Sequence, residues 1–195
     1  MNPLYNLSKY EILLASGSPR RRQLLKDLCI DFKLARLIDV DESYPENLDP
    51  LEVASYISKK KADAYKSQIT SNQLVITADT VVVNDREVLG KPCTQENAAR
   101  MLNKLSGKKH KVITGVTVTS AEKQSAFSAI TEVEFALLTE DEIKFYISKF
   151  NPLDKAGAYG IQEWIGCIGV KSINGSFYNV MGLPLHKLYN ELKNF

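Results

Sequence analysis

The sequence predicts an α/β protein built on a mixed sheet. Three observations carry that prediction. β-Branched apolar runs alternate with stretches that open on helix-capping residues, and two long strand patterns follow one another directly in the second half of the chain. The order of strands and helices also lacks the regular alternation of a doubly wound sheet. With 195 residues, the chain has room for a substantial core without disulfides.

Residues 11–15 read as a short buried strand. Ser18-Pro19 supplies an N-cap and a proline at the first helical position, so a helix runs to about Leu28. Residues 31–38 read as a second strand and the acidic stretch 39–49 as a loop. Asp49-Pro50-Leu51-Glu52 again has the cap, proline and acidic residue of a helix start, for a helix ending near Gln68. Residues 74–83 form a strongly β-branched strand, turned by Asn84-Asp85 into a short return through Val88-Leu89. Thr94 opens a helix to about Leu105. Residues 111–119 and 126–138 alternate in polarity and are expected to pair as antiparallel neighbours. Thr139-Glu140-Asp141-Glu142 is a capping box for a helix stopped near Phe150 by Asn151-Pro152. Residues 164–173, the Asn174-Gly175 turn and residues 176–180 read as a hairpin, and residues 184–192 as the last helix.

Composition narrows the function classes. Apolar residues make up 44% and charged residues 25%, and no stretch approaches the roughly 18 apolar residues of a membrane span. Residues 1–9 lack a basic flank followed by an apolar run, so a soluble cytosolic protein is expected, with no membrane partner. Cys29, Cys93 and Cys167 are odd in number and far apart, which suits reduced thiols rather than a disulfide framework or a C-x-x-C metal site. Only His110 and His186 occur, so a metal here would be a hard one held by oxygens. The net charge of +2 gives no broad basic footprint, and no basic and aromatic stripe interleaves, which argues against a nucleic-acid partner.

Several local features could carry chemistry. Ser16, Gly17 and Ser18 leave the first strand with small side chains where the first free N–H groups of a helix point back, a place for an anion. Arg20, Arg21 and Arg22 add charge, but successive helical residues are about 100° apart, so the three cannot share one site; Arg22 is expected to face solvent. There is no G-x-x-x-x-G-K-[ST], so this is not a Walker-type loop. In the second helix Lys61 falls roughly 30° from the centre of the apolar sector, so it either snorkels to the surface or points into a cleft where an anion binds. Asp79 interrupts an apolar strand and needs a partner: it is a structural bend, or a hard-metal ligand or general base. Lys91 lies in a rigid Gly-Lys-Pro turn, and Asp41 and Glu42 offer carboxylates in the first long loop.

Taken together these stretches resemble the Maf family of nucleoside triphosphate pyrophosphatases. The matching motifs are LASGSPRR (14–21), VDE (40–42), KA (61–62), ADT (78–80), GKP (90–92), TGV (114–116), DKAGAYGIQ (154–162) and MGLP (181–184), which together span nearly the whole chain. The resemblance implies one Maf-like domain over residues 1–195, with an elongated two-lobed fold like that of the inosine triphosphate pyrophosphatases, a cleft between the lobes, and members that are often homodimers. It implies a cytosolic enzyme that uses Mg2+ or Mn2+ to hydrolyse a nucleoside triphosphate to the monophosphate and pyrophosphate. Asp79 matches the catalytic aspartate, as base or metal ligand, and Glu42 would assist at the metal. Arg21, Lys61 and Lys91 would hold phosphate oxygens, and Ser16 and Ser18 would line the cradle. Arg20, Thr80 and Gln162 match the branch that prefers dTTP and UTP. A glutamine amide suits that choice, because it donates to a uracil or thymine carbonyl and accepts from N3–H. Glu163-Trp164-Ile165 departs from the pattern, since some members carry small residues there; Trp164 is a core residue or flanks the base. The alternative function the family name suggests is a nucleotide-sensing regulator of septum formation and cell division.

Overall fold

The computed structural model describes residues 3–195. Among these, seven strands form one mixed sheet: β1 (Glu11–Leu14), β2 (Lys33–Leu34), β3 (Gln73–Asn84), β4 (Glu87–Leu89), β5 (Lys109–Thr119), β6 (Gln124–Phe135) and β7 (Val170–Asn174). The order is β2-β1-β3-β5-β6-β7, with β4 paired to β3. β1 runs parallel to both β2 and β3, with Leu13 opposite Val75 and Leu14 opposite Ile76. β4 and β7 are antiparallel to their partners. The α-helices are α1 (Pro19–Asp27), α2 (Val53–Asp63), α3 (Gln95–Leu105), α4 (Glu140–Phe150), α5 (Trp164–Gly169), α6 (Phe177–Met181) and α7 (Leu185–Leu192). No helix of the described residues is long and apolar enough to cross a membrane.

Local chemistry explains most of these boundaries. Ser18 caps α1 by accepting from the Arg21 N–H, Thr94 caps α3 through the Asn97 N–H, and Thr139 and Glu142 form the reciprocal capping box of α4. Asn151 ends α4 in the left-handed region, φ 44°. The expected second strand shrinks to Lys33–Leu34 because β1 ends at Leu14 and offers its last carbonyl to Ala35, leaving later residues no ladder to join. α2 starts later than expected: the Asp49 carboxylate takes the Leu51 N–H at 2.9 Å in a separate turn before it. Beyond Asp63 the chain continues only as turns.

The expected hairpin over residues 164–180 is not formed. Its first arm is helix α5 followed by the five-residue β7, and its second arm is α6. Glycines weakened the helical signal there, yet close packing requires one of them: a Cβ on Gly166 would sit 1.8 Å from the Ile161 carbonyl oxygen. In α6, the buried Asn179 amide donates to the Val112 carbonyl and to Thr131 Oγ1, both at 3.0 Å. Tertiary hydrogen bonds therefore override the turn-and-strand pattern.

The chain divides into two compact units: Met1–Asp79 with Thr114–Ala129 and Gly182–Phe195, and Thr80–Ile113 with Ile130–Met181. In the first, Leu14, Leu24, Leu25, Leu74 and Ile76 are fully buried. Ala54, Ser58 and Lys61 occupy one face of α2, at spacings of four and three. Gly115 of β5 lies beneath that face so closely that a Cβ would come within 2.4 Å of the Ala54 carbonyl and the Ser55 nitrogen. Ser58 Oγ pairs with Thr117 Oγ1 at 3.0 Å, and Thr77 Oγ1 donates to the Ser58 carbonyl at 2.8 Å, so this helix is bonded to β3 and β5 from below. The second unit is centred on Leu102, Val112, Phe135, Ile143, Tyr146 and Ile165, with a buried edge-to-face trio of His110, Phe135 and Tyr159. Trp164 packs against this core and meets Phe145 edge-on, the first of the two alternatives left open for it.

Candidate active site

In the first unit, β1 delivers Ser16 and Ser18 to the start of α1, where the Ser18 N–H donates to Ser16 Oγ at 3.3 Å. Arg21, one turn on, is half-buried. Its Nη1 donates to the Ala78 carbonyl at 2.8 Å and to Ser16 Oγ at 3.4 Å, while Nε donates to the Gly182 carbonyl at 2.8 Å. The planar guanidinium thus ties the β1–α1 turn to the residue before Asp79. Burial pulls Arg21 below the usual arginine value and the Arg20 charge adds to that, while Asp79 and Glu42 act against it. Arg22 does not simply face solvent: it is half-buried and donates to the Gly17 carbonyl at 3.1 Å.

The charged centre of this unit is Lys61. Its Nζ lies 2.7 Å from Asp79 Oδ1 and 2.8 Å from Glu42 Oε1, so the lysine is turned to carboxylates of the chain itself. Asp79 likewise has the partner its place in an apolar strand demands; its side chain is 13% exposed against 49% for Glu42. Asp41 turns away from this centre to Lys60 and to Ser43, whose hydroxyl and N–H hold the Asp41 carboxyl well below the usual carboxylate range. Two carboxylates converging on one ammonium mark a place where oxygen donors meet positive charge. Among the described residues no group of three or more His, Cys, Asp and Glu could hold a metal. Mg2+ is commonly held by one or two carboxylates with water and substrate phosphate supplying the rest, and Glu42 and Asp79 are the carboxylates here that would fit that donor set.

Thr80, Lys91 and Gln162 belong to the second unit. Thr80 is half-buried on β3, and Lys91 is exposed in the turn after β4. That turn is fixed to the 154–162 motif by the Gly157 N–H, which donates to the Gly90 carbonyl at 3.1 Å. Gly157 has φ +67° and presses on Val82, 2.8 Å from where a Cβ would stand, so no larger residue fits. Gln162 is exposed in a turn closed by the Glu163 N–H on the Gly160 carbonyl at 3.0 Å. Sequence reasoning assigned no role to Lys155 and Tyr146, which meet at the Glu163 carboxylate. The signal was a lysine inside a loop motif with a carboxylate eight residues on.

The chain and its fold have counterparts among known proteins. The chain is 57% identical over 190 residues to a dTTP/UTP pyrophosphatase of Bacteroides thetaiotaomicron, covering 97% of this chain and 98% of that protein. It is 54% identical over 192 residues to the protein of the same name from Parabacteroides distasonis, covering 98% and 100%. In fold it is similar to the Staphylococcus aureus Ham1 protein, with a TM-score of 0.51 at 19% identity over 93% of this chain and 99% of that one. A Ham1 protein from Coxiella burnetii gives the same TM-score at 16% identity, over 95% and 100%. The family model described as Maf-like protein matches residues 11–195, and the chain belongs to the Maf family.

Proposed function

We propose that this chain hydrolyses dTTP and UTP to their monophosphates and pyrophosphate. The observation that carries the reading is the Asp79–Lys61–Glu42 centre, found in a chain 57% identical to a dTTP/UTP pyrophosphatase. In this reaction water attacks the α-phosphorus and the bond to the pyrophosphate oxygen breaks, so catalysis is mostly positioning and charge neutralisation. Asp79 accepts the proton of the attacking water. Lys61, 2.7 Å from that carboxylate, moves its charge to phosphate oxygens as substrate arrives, and Arg21 and Lys91 stabilise charge on the leaving group. Ser16 and Ser18 line the phosphate cradle at the helix start. Glu42 and Asp79 would hold Mg2+ or Mn2+, which would neutralise phosphate charge as a Lewis acid. Arg20, Thr80 and Gln162 select the base, with the Gln162 amide pairing to the imide edge of uracil or thymine. The working protein is a cytoplasmic nucleotide-pool enzyme, and it acts as a homodimer.

The test is pyrophosphate release from dTTP, UTP, CTP, GTP, ATP and 7-methyl-GTP with magnesium or manganese. Fast release confined to dTTP and UTP is the expected result. No release from any triphosphate, by folded protein that still binds nucleotide, overturns the reading in favour of a nucleotide sensor.

A further inference from the structure

An acidic residue directly beside a base-reading glutamine is a chemical problem. A free carboxylate at position 163 would offer the base edge a second acceptor, and the carbonyls of uracil and thymine are themselves acceptors. The structure shows where that carboxylate goes. Lys155, only 7% exposed, places its Nζ 3.2 Å from Glu163 Oε1 and 2.8 Å from Asp154 Oδ1. The hydroxyl of the fully buried Tyr146 donates to Glu163 Oε2 and accepts the Gly160 N–H at 3.0 Å. One phenol therefore clasps both ends of the turn Gly160–Glu163 that carries Gln162, and the Glu163 N–H closes the turn on the Gly160 carbonyl. Gly160 makes room for this: a Cβ there would stand 2.8 Å from the Glu163 carboxyl carbon.

We propose that Glu163, Tyr146 and Lys155 are positioning residues for base selection: they withdraw the carboxylate from the base and lock the turn so that Gln162 presents its amide in one orientation. The inference rests on the reading of Gln162 given above. Glu163 touches no substrate; it acts through the turn. Lys155, shared with Asp154, and the Tyr146 hydroxyl hold the Glu163 carboxylate away from the base edge, so Gln162 sets the donor and acceptor pattern there.

The measurement is kcat and KM for UTP and CTP, which differ only at the base edge, in the wild type and in Gln162→Ala, Glu163→Ala, Glu163→Gln and Tyr146→Phe, each with a thermal melt. Glu163→Ala and Tyr146→Phe are expected to lower the UTP over CTP ratio of kcat/KM about tenfold, mainly through KM for UTP. Glu163→Gln, which keeps an oxygen for the Tyr146 hydroxyl, recovers most of that ratio. A role confined to folding would lower the melting temperature and the active fraction while leaving the ratio unchanged, and that result overturns the proposal. Should Glu163→Ala fail to fold, Tyr146→Phe and Glu163→Gln carry the same comparison. A wild-type ratio in Gln162→Ala removes Gln162 from base selection and takes the proposal with it. A lowered ratio in Gln162→Ala alone keeps that reading and overturns only the proposal.

Discussion

At the scale of single residues, charge placement decides what each group does. Asp79 sits at the end of an apolar run with an ammonium 2.7 Å away, so Asp79→Asn keeps shape and burial while removing the proton acceptor. Its turnover is expected to fall by about 10² or more with little change in melting temperature, read by pyrophosphate release beside a thermal melt. Wild-type turnover in the folded variant would remove Asp79 from the role of base. His110 gives a prediction of another kind. Its Nε2 is 2.8 Å from the Tyr159 hydroxyl, its Nδ1 has no hydrogen-bond partner among the described residues, and burial lowers its pKa from the ordinary 6.5 to about 4. The unfolded chain then takes up the proton first as the pH falls, so this group's contribution to stability is lost between about 6.5 and 4, on the order of 3 kcal/mol in full. His110→Gln should flatten that part of the profile; urea midpoints of both proteins from pH 4 to 7.5 check it.

Elements extend the same reasoning. α2 reaches its depth because Gly115 offers no side chain, and Gly115→Ala would drive a methyl within 2.4 Å of the helix backbone. The expected cost is about 3 kcal/mol or more, read from the urea midpoint, with turnover falling as Lys61 shifts. How far the elements were legible in the sequence follows from what signals them. Capped helices were legible because a cap is local: Ser18, Thr94 and Thr139 each act within a few residues. The long strands were legible too, β3 and β5 from their β-branched residues and β6 from its alternating polarity. Residues 164–180 were misread because their conformation depends on distant partners, Val112 and Thr131 for Asn179 and a close approach to Ile161 for Gly166. For the candidate site, Asp79 and Lys61 announced themselves as charges out of place among apolar neighbours. Lys155 did not: a lysine with a carboxylate eight residues on is a weak signal, and nothing nearby in the sequence reveals that Tyr146 reaches the same Glu163 carboxylate.

At the scale of the whole molecule, no disulfide holds the chain together and packing carries its stability. All three cysteines are free and exposed, so three thiols should titrate with a disulfide reagent in the native protein, and the melting temperature should be the same with and without reductant. Fewer than three reactive thiols before denaturant is added would contradict that exposure. The balanced charge of +2 leaves recognition to local groups, in keeping with a centre built from one lysine and two carboxylates. Gly115 also bears on how variation in this protein is to be interpreted. In a mutational scan scored by turnover, position 115 will look as intolerant as position 79, although the glycine is two helix turns from the lysine whose reach it fixes. A parallel scan scored by abundance separates the two, because variants at 79 accumulate as folded protein while variants at 115 are cleared.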